Sequence, residues 1–342
     1  MIRRALHLAA AGLVAFAAGA LHAGEISGPG GQQEASGTIR IWGTEYMSGV
    51  LDHWMRGFQE THPGVTFEVQ LRGTGSAMPA LYTGRADIAL LGRENDLTDN
   101  NGFGRVKQYP PTRLELLNGS LDEPGMAGAL VVFVHRDNPL ERISLAELDA
   151  AFGHEGRRGL PAALTWGDLG LPGAWAQRPV NLHAYHARTG TGRFFQDAVL
   201  GKSRKMRWPR LKEYRNSRYS DGTVQHAARR ILDALADDPD GLAIAGLRYA
   251  HAGVKPVALS VEVGGQAHHA TVESLVSGDY PLARRPYAFV DVPPGGRLDP
   301  VVREFLGYVL GARGQADVRR QRGYLPLNPR QAEAQRRLLE TL

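Results

Sequence analysis

Cysteine is missing from all 342 residues of the chain. That excludes disulfides, thiolate metal sites and any lipid anchor carried on a cysteine. The histidines do not fill the gap. His183, His186, His251, His268 and His269 are scattered, with no spaced carboxylate set on one helix, so they read as surface residues and neither a metal ion nor another cofactor is expected. No G-x-x-x-x-G-K-S/T run is present, which removes P-loop nucleotide hydrolysis, and no G-x-S-x-G elbow, which leaves serine hydrolase chemistry without support. Charge of one sign is in short supply as well: 40 basic against 35 acidic residues, net +5, is too mild an excess to argue for nucleic acid. Basic residues do crowd 202 to 218, where Glu213 is the only acid. Such a run reads as a solvated face, with steering of anions as the other reading.

Long apolar runs are absent but for one. In MIRRALHLAAAGLVAFAAGALHA a basic start precedes an apolar run from Ala5 to Leu21, then small residues, the pattern of a secretory signal peptide over 1–23. Cleavage fits Ala20 or Ala23, and Ala23 is taken here. An uncleaved anchor is the other reading, opposed by the short run and by His7 inside it. With no cysteine to lipidate, the exported product is expected to be free in the periplasm. Residues 24–36, GEISGPGGQQEAS, read as a flexible lead-in. What remains has 43% hydrophobic and 22% charged residues over the chain, a globular composition, and enough length for two domains.

The pattern beyond residue 37 alternates strand and helix. TIRIWG is a strand; Val50, Leu51, Trp54, Met55 and Phe58 recur at helical spacing until His62-Pro63-Gly64; TFEVQL, a short helix in AMPALYTG and the strand ADIALL follow. This order implies a parallel sheet with crossover helices. ALVVFV, 129–134, is a continuous apolar run and hence a strand buried on both faces. Ser144 and Glu147 form a capping-box signature, VNLHAY is a strand, GTVQHAARRILDALAD an amphipathic helix, LAIAGL and RPYAFVDV strands, and Asp299-Pro300 opens a further helix.

Thr189-Gly190-Thr191-Gly192 lies between VNLHAY and the apolar Phe194 and Phe195, where a helix begins. Backbone N–H groups at a helix start lack internal partners and carry partial positive charge, so glycines and hydroxyls there make an anion seat. The same residues also read as an ordinary hydroxyl cap. Two more loops, GTEYMS (43–48) and RGTGS (72–76), likewise follow a strand and precede a helix, the position where ligands collect in open α/β sheets.

Taken in order from about residue 38 to 328, IRIWGTEYM, LRGTGSAMPALYTGRADIALLGRE, VVFVHRDNP, RTGTGRFF, GLAIAGLRYA, YPLARRPYAFV and the stretch from LDPVVREF to GYLPL resemble the phosphate-type solute-binding proteins of ABC importers. The resemblance implies an α/β fold of the class II periplasmic binding protein type: two lobes, each a mostly parallel sheet flanked by helices, joined by two crossover strands near ALVVFV and RPYAFV. Lobe I is expected over 38–133 plus 284–342, and lobe II over 134–283. The resemblance also implies a function: capture of phosphate or a related oxyanion in the cleft, and delivery to a membrane permease, by a monomer that transforms nothing chemically. A periplasmic ligand sensor or interaction module on the same scaffold, with altered or lost phosphate binding, is the alternative. An exported enzyme acting on phosphoesters would need a general base or a metal near the threonines, and none is apparent.

Carried over residue by residue, the family's oxyanion site keeps Ser76, Thr189, Gly190 and Thr191 in kind. It departs at Tyr46, beside Met47, where the family usually has Thr; at Gly92, where it has Asp or Ser; and at Tyr185, where it has an Arg that pairs with the anion. Arg188 and Arg93, each one residue from these loops, stand as replacements for that charge. Tyr46 and Tyr185 read either as lining for a larger or less charged ligand or as packing residues between lobes.

Overall fold

A computed structural model describes residues 36–123, 126–201 and 203–342. The expected leader, and the lead-in apart from Ser36, lie outside the described residues. In chain order the first lobe contains β1 (Gly37–Gly43), α1 (Ser48–Gln59), β2 (Val65–Gln70), α2 (Thr74–Tyr82), β3 (Ile88–Leu91), α3 (Leu97–Lys107) and β4 (Thr112–Glu115). The second contains β5 (Val131–His135), β6 (Arg142–Ser144), α4 (Leu145–Phe152), β7 (Asn181–Tyr185), α5 (Gly190–Val199), β8 (Leu211–Tyr214), the small ladder of β9 (Ser217–Arg218) and β10 (Val224–Gln225), α6 (Ala227–Ala236), β11 (Gly241–Ala245), β12 (Val254–Ser260) and α7 (Val272–Ser277). The chain then returns to the first lobe with β13 (Tyr287–Val290), α8 (Pro300–Leu310), α9 (Ala312–Arg320) and α10 (Pro329–Glu340).

Both sheets are mixed. The first runs β2-β1-β3-β13-β4, with β1 parallel to β2 and β3, and β13 antiparallel to both neighbours. The second runs β6-β12-β5-β11-β7-β8, and β5 in its middle is antiparallel to β11 and β12. Period-two alternation splits each central strand between two cores. Val132 and Val134 of β5 pack with α4 and α5 residues such as Phe152 and Phe195, while Val131 and Phe133 pack on the other face with Ile231 and Leu235 of α6. In β3, Ile88 and Leu90 join Trp54 and Phe58 of α1, and Ala89 and Leu91 join Met78 and Phe103.

Helix starts follow local chemistry. Ser144 Oγ accepts from Glu147 N at 3.2 Å while Glu147 Oε2 accepts from Ser144 N at 2.7 Å. Asp299 accepts from Val301 N and Val302 N, with Pro300 in the first turn of α8. The amphipathic helix expected from Gly222 begins only at Ala227, because Val224 and Gln225 are taken up by pairing with β9.

Two segments cross between the lobes, one outward that includes 116–123 and 126–130, and 282–286 back. They are laced together by Gly119 N to Arg284 O (2.8 Å) and Leu130 N to Leu282 O (3.1 Å). Gly119 is required for this approach: a Cβ there would lie 2.1 Å from Ala127 O and 2.6 Å from Arg284 O. From its first residue, Val131, β5 belongs to the second sheet, so the crossing itself is made by the irregular stretch before it.

Candidate functional site

The start of α5 faces the space between the lobes. Thr189 is its N-cap, in extended conformation, and its hydroxyl is fully engaged, accepting from Gly192 N at 3.0 Å and donating to His186 O at 2.8 Å. Gly192 permits this turn, since a Cβ there would come within 2.3 Å of His186 O. The N–H groups of Gly190 and Thr191 and the Thr191 hydroxyl have no hydrogen-bond partner among the described residues. The helix end therefore presents two N–H donors and a hydroxyl along its own positive pole.

Of these, Thr191 borders a cavity of about 470 Å³, whereas Gly190 lies on a neighbouring hollow. Gly92, just after β3, contributes from the first lobe; Tyr185, Thr189, Thr191, Arg215, His226, Arg248 and Tyr249 contribute from the second; 121–123, 126–130 and Arg284 contribute from the crossing segments. Cβ space at Gly92 is limited by Thr44, whose Cγ2 would lie 3.1 Å away. Burial pushes the Tyr185 phenol up to about 12, against the opposing pull of the Gly246 N–H, so it is neutral at physiological pH. Its oxygen accepts from Gly246 N at 3.0 Å, which leaves its own proton available to a ligand.

Positive charge outweighs negative on the cavity wall. Asp122 and Glu123 face Arg215, Arg248 and Arg284, and Glu123 is already paired with Arg322 at 2.7 Å and Arg248 at 3.7 Å. Arg284 is the residue that motif reading passed over. It is 6% exposed. Its neighbour Arg285 turns outward to Glu115 at 2.7 Å, as alternation along an extended segment requires. The signal was the arginine pair before the apolar strand YAFV: consecutive positions there cannot both face solvent.

Of the nine site residues expected from sequence, the cavity brings together Gly92, Tyr185, Thr189 and Thr191. Ser76, Tyr46, Met47, Gly190 and Arg188 are placed elsewhere. Ser76 Oγ donates to Gly73 O at 2.8 Å within its own loop, and Glu45 approaches that loop, a Cβ at Gly73 falling 3.9 Å from its Oε2. Tyr46 is 46% exposed and Met47 is wholly buried in the first-lobe core. Arg188 and Gly190 border a neighbouring hollow of about 230 Å³ with Arg93, Asp96 and Arg193. Gly190 stands against Arg93, whose Cδ would be 3.3 Å from a Cβ. Arg93 itself is spent on Asp99 at 2.7 Å and on Glu94 O at 2.6 Å.

Beside that hollow the lobes are tied together by an ion pair between Arg193 of α5 and Asp96, the N-cap of α3. Burial pulls the Asp96 carboxyl up, but the Asp99 N–H and the charges of Arg93 and Arg193 together take it below the usual carboxylate range. Among the described residues no three histidine or carboxylate side chains gather as a metal-ligand set.

Comparison with known proteins places this arrangement. A family model described as a PBP superfamily domain matches residues 29–313. The phosphate-binding protein PstS of Pseudomonas aeruginosa is 30% identical over 299 residues, covering 87% of this chain and 85% of that one. Among solved structures, PstS from Borrelia burgdorferi has a TM-score of 0.55 at 14% identity, covering 85% of this chain and 99% of that one. An ABC-type phosphate transport receptor from Vibrio cholerae has a TM-score of 0.51 at 15% identity, covering 85% and 100%. At such identities the two structures speak for the fold, and the curated relative speaks for the family. The chain belongs to the PBP superfamily and, within it, to the PstS phosphate-binding proteins.

Proposed function

We propose that this chain captures phosphate or a related oxyanion in the cleft and delivers it to the membrane permease of an ABC importer. The observation that carries the reading is the uncapped donor set at the start of α5, opening into a cavity between two lobes. Thr191 N and the Thr191 hydroxyl bond the anion's oxygens, and the helix pole adds favourable charge. Thr189 holds the turn in shape. Tyr185 donates its phenolic proton, and Gly92 leaves room for the ligand where a side chain would intrude. Binding favours the closed arrangement by the contacts the ligand makes with both lobes and the crossing segments. The ligand leaves as it came, and no bond is broken.

The leader read over residues 1–23 sends the protein to the periplasm, where it works as a monomer. Calorimetric titration of the purified protein with phosphate, sulfate, and small organic phosphates and carboxylates tests the reading. Saturable heat with phosphate, weakened in Thr191→Ala, is the expected result; no heat with any oxyanion would overturn it.

A further inference from the structure

We propose that Arg284, on the returning crossing segment, is the cation that holds the ligand's negative charge, so that the anion is anchored at the hinge as well as at α5. This rests on the oxyanion reading above. Burying a guanidinium is costly unless its donors are satisfied. Arg284 has five N–H donors, and among the described residues one side-chain hydrogen bond: Nη2 to Glu94 Oε2, 3.2 Å, at the long end for a charge-assisted bond. Its Nε is buried without a partner. The Phe194 ring, its centroid 5.0 Å from the guanidinium carbon, covers the group and leaves the edge donors for a polar partner.

The other arginines on the cavity wall, and Arg93 beside it, are engaged, and Arg188 is exposed on the neighbouring hollow. Arg248 is paired with Glu123, Arg215 lies against His186, and Arg93 is held by Asp99. Arg284 alone combines deep burial, unspent donors and a place on the cavity wall with Thr189 and Thr191. Tyr185 stands where the resemblance called for an arginine, and its phenol is bound to Gly246 N. The positive charge is therefore relocated from the end of β7 to the hinge. A compact tetrahedral oxyanion lying between α5 and Arg284 meets the Thr191 N–H and hydroxyl on one side and the guanidinium edge on the other. Because the Arg284 carbonyl accepts from Gly119 N at 2.8 Å, the anchor is built into the lacing of the two crossing segments. Glu94 is the acid that the anion competes with for the same fork.

The test is calorimetric titration with orthophosphate at low salt, with thermal melts alongside. Arg284→Gln weakens binding at least about 30-fold, and Arg284→Lys, which keeps charge but loses the fork, falls between. Glu94→Gln moves the opposite way and tightens binding severalfold. Arg284→Gln/Glu94→Gln removes both charges of the pair together, so it folds even where the single variant does not, and it stays as weak as Arg284→Gln. If the double variant binds within about threefold of the wild type, Arg284 only partners Glu94, and the phosphate reading stands without it. Wild-type protein that binds no oxyanion sinks both.

Discussion

Thr189 and Thr191 are two residues apart, chemically identical, and predicted to fail in different ways. Thr189→Ala removes the N-cap acceptor of a ten-residue helix. The His186 carbonyl still accepts from Thr189 N at 2.9 Å, so the uncompensated loss is the Gly192 N–H. That loss costs about 1 kcal/mol of stability, or about 2 °C in Tm for a chain of this size. Thr191→Ala removes a hydroxyl with no partner among the described residues, and its effect on stability stays within about 0.5 kcal/mol. In the complex the same hydroxyl donates to an anion, and losing it costs about 1.5–3 kcal/mol, roughly 10- to 150-fold in Kd. Melting curves with and without phosphate separate the two: Thr189→Ala lowers the ligand-free Tm, whereas Thr191→Ala leaves it in place and shrinks the rise on adding phosphate. Reversal of the pattern, with binding lost in Thr189→Ala and kept in Thr191→Ala, refutes the assignment of α5 as the anion seat.

Three further outcomes are expected. Gly119→Ala forces a Cβ between the carbonyls of Ala127 and Arg284 and destabilises the protein by about 3 kcal/mol; an unchanged urea midpoint contradicts the close lacing of the crossing segments. Arg193→Ala removes the ion pair to Asp96, and this half-buried contact, at about 0.5–1 kcal/mol, shifts the ligand-free protein toward the open form, read as a larger radius in solution scattering; an identical radius argues against the tie. Burial holds the His183 imidazole below its ordinary 6.5, against the upward pull of Asp238. Above 6.5 the ring is neutral folded or unfolded and its contribution to stability is complete; as pH falls below that value only the unfolded chain takes the proton, so stability declines. Urea midpoints at about pH 7.5 and 5.5 report this, and His183→Gln flattens the difference; equal slopes in both proteins dismiss the idea.

Periodicity made most of the elements legible, and position in the fold decided the exceptions. β12 forms over Val254–Ser260, a stretch not among the expected strands, although Pro256 lies within it. At Pro256 the strand pairs only with Phe133 of β5, and β6 joins from Ala258 onward, so the missing N–H breaks no ladder bond on the β6 side. His183, expected on the surface, is completely buried because β7 is an inner strand, and it is bonded to Tyr214 and Asp238 at 3.0 Å each. The basic run after Gly201 is divided in use: Arg207 reaches back to the carbonyls of Ala150, Ala151 and Gly153 at the end of α4, and Arg215 reaches the cavity.

Strand-and-helix order, the cap chemistry at Ser144, Thr189 and Asp299, and membership of a two-lobed α/β family were already written in the chain, because each depends on neighbours within a few residues or on motifs in linear order. Which donors meet was not. Ser76 and Thr189 look equivalent as text, yet one hydroxyl turns into its own loop while the other residue borders the cleft. Arg284 joins Thr189 there only because the stretches around Gly119 and Leu130 pass beside 282–286, and that pairing of distant segments, with the burial it imposes, is a property of the tertiary structure alone.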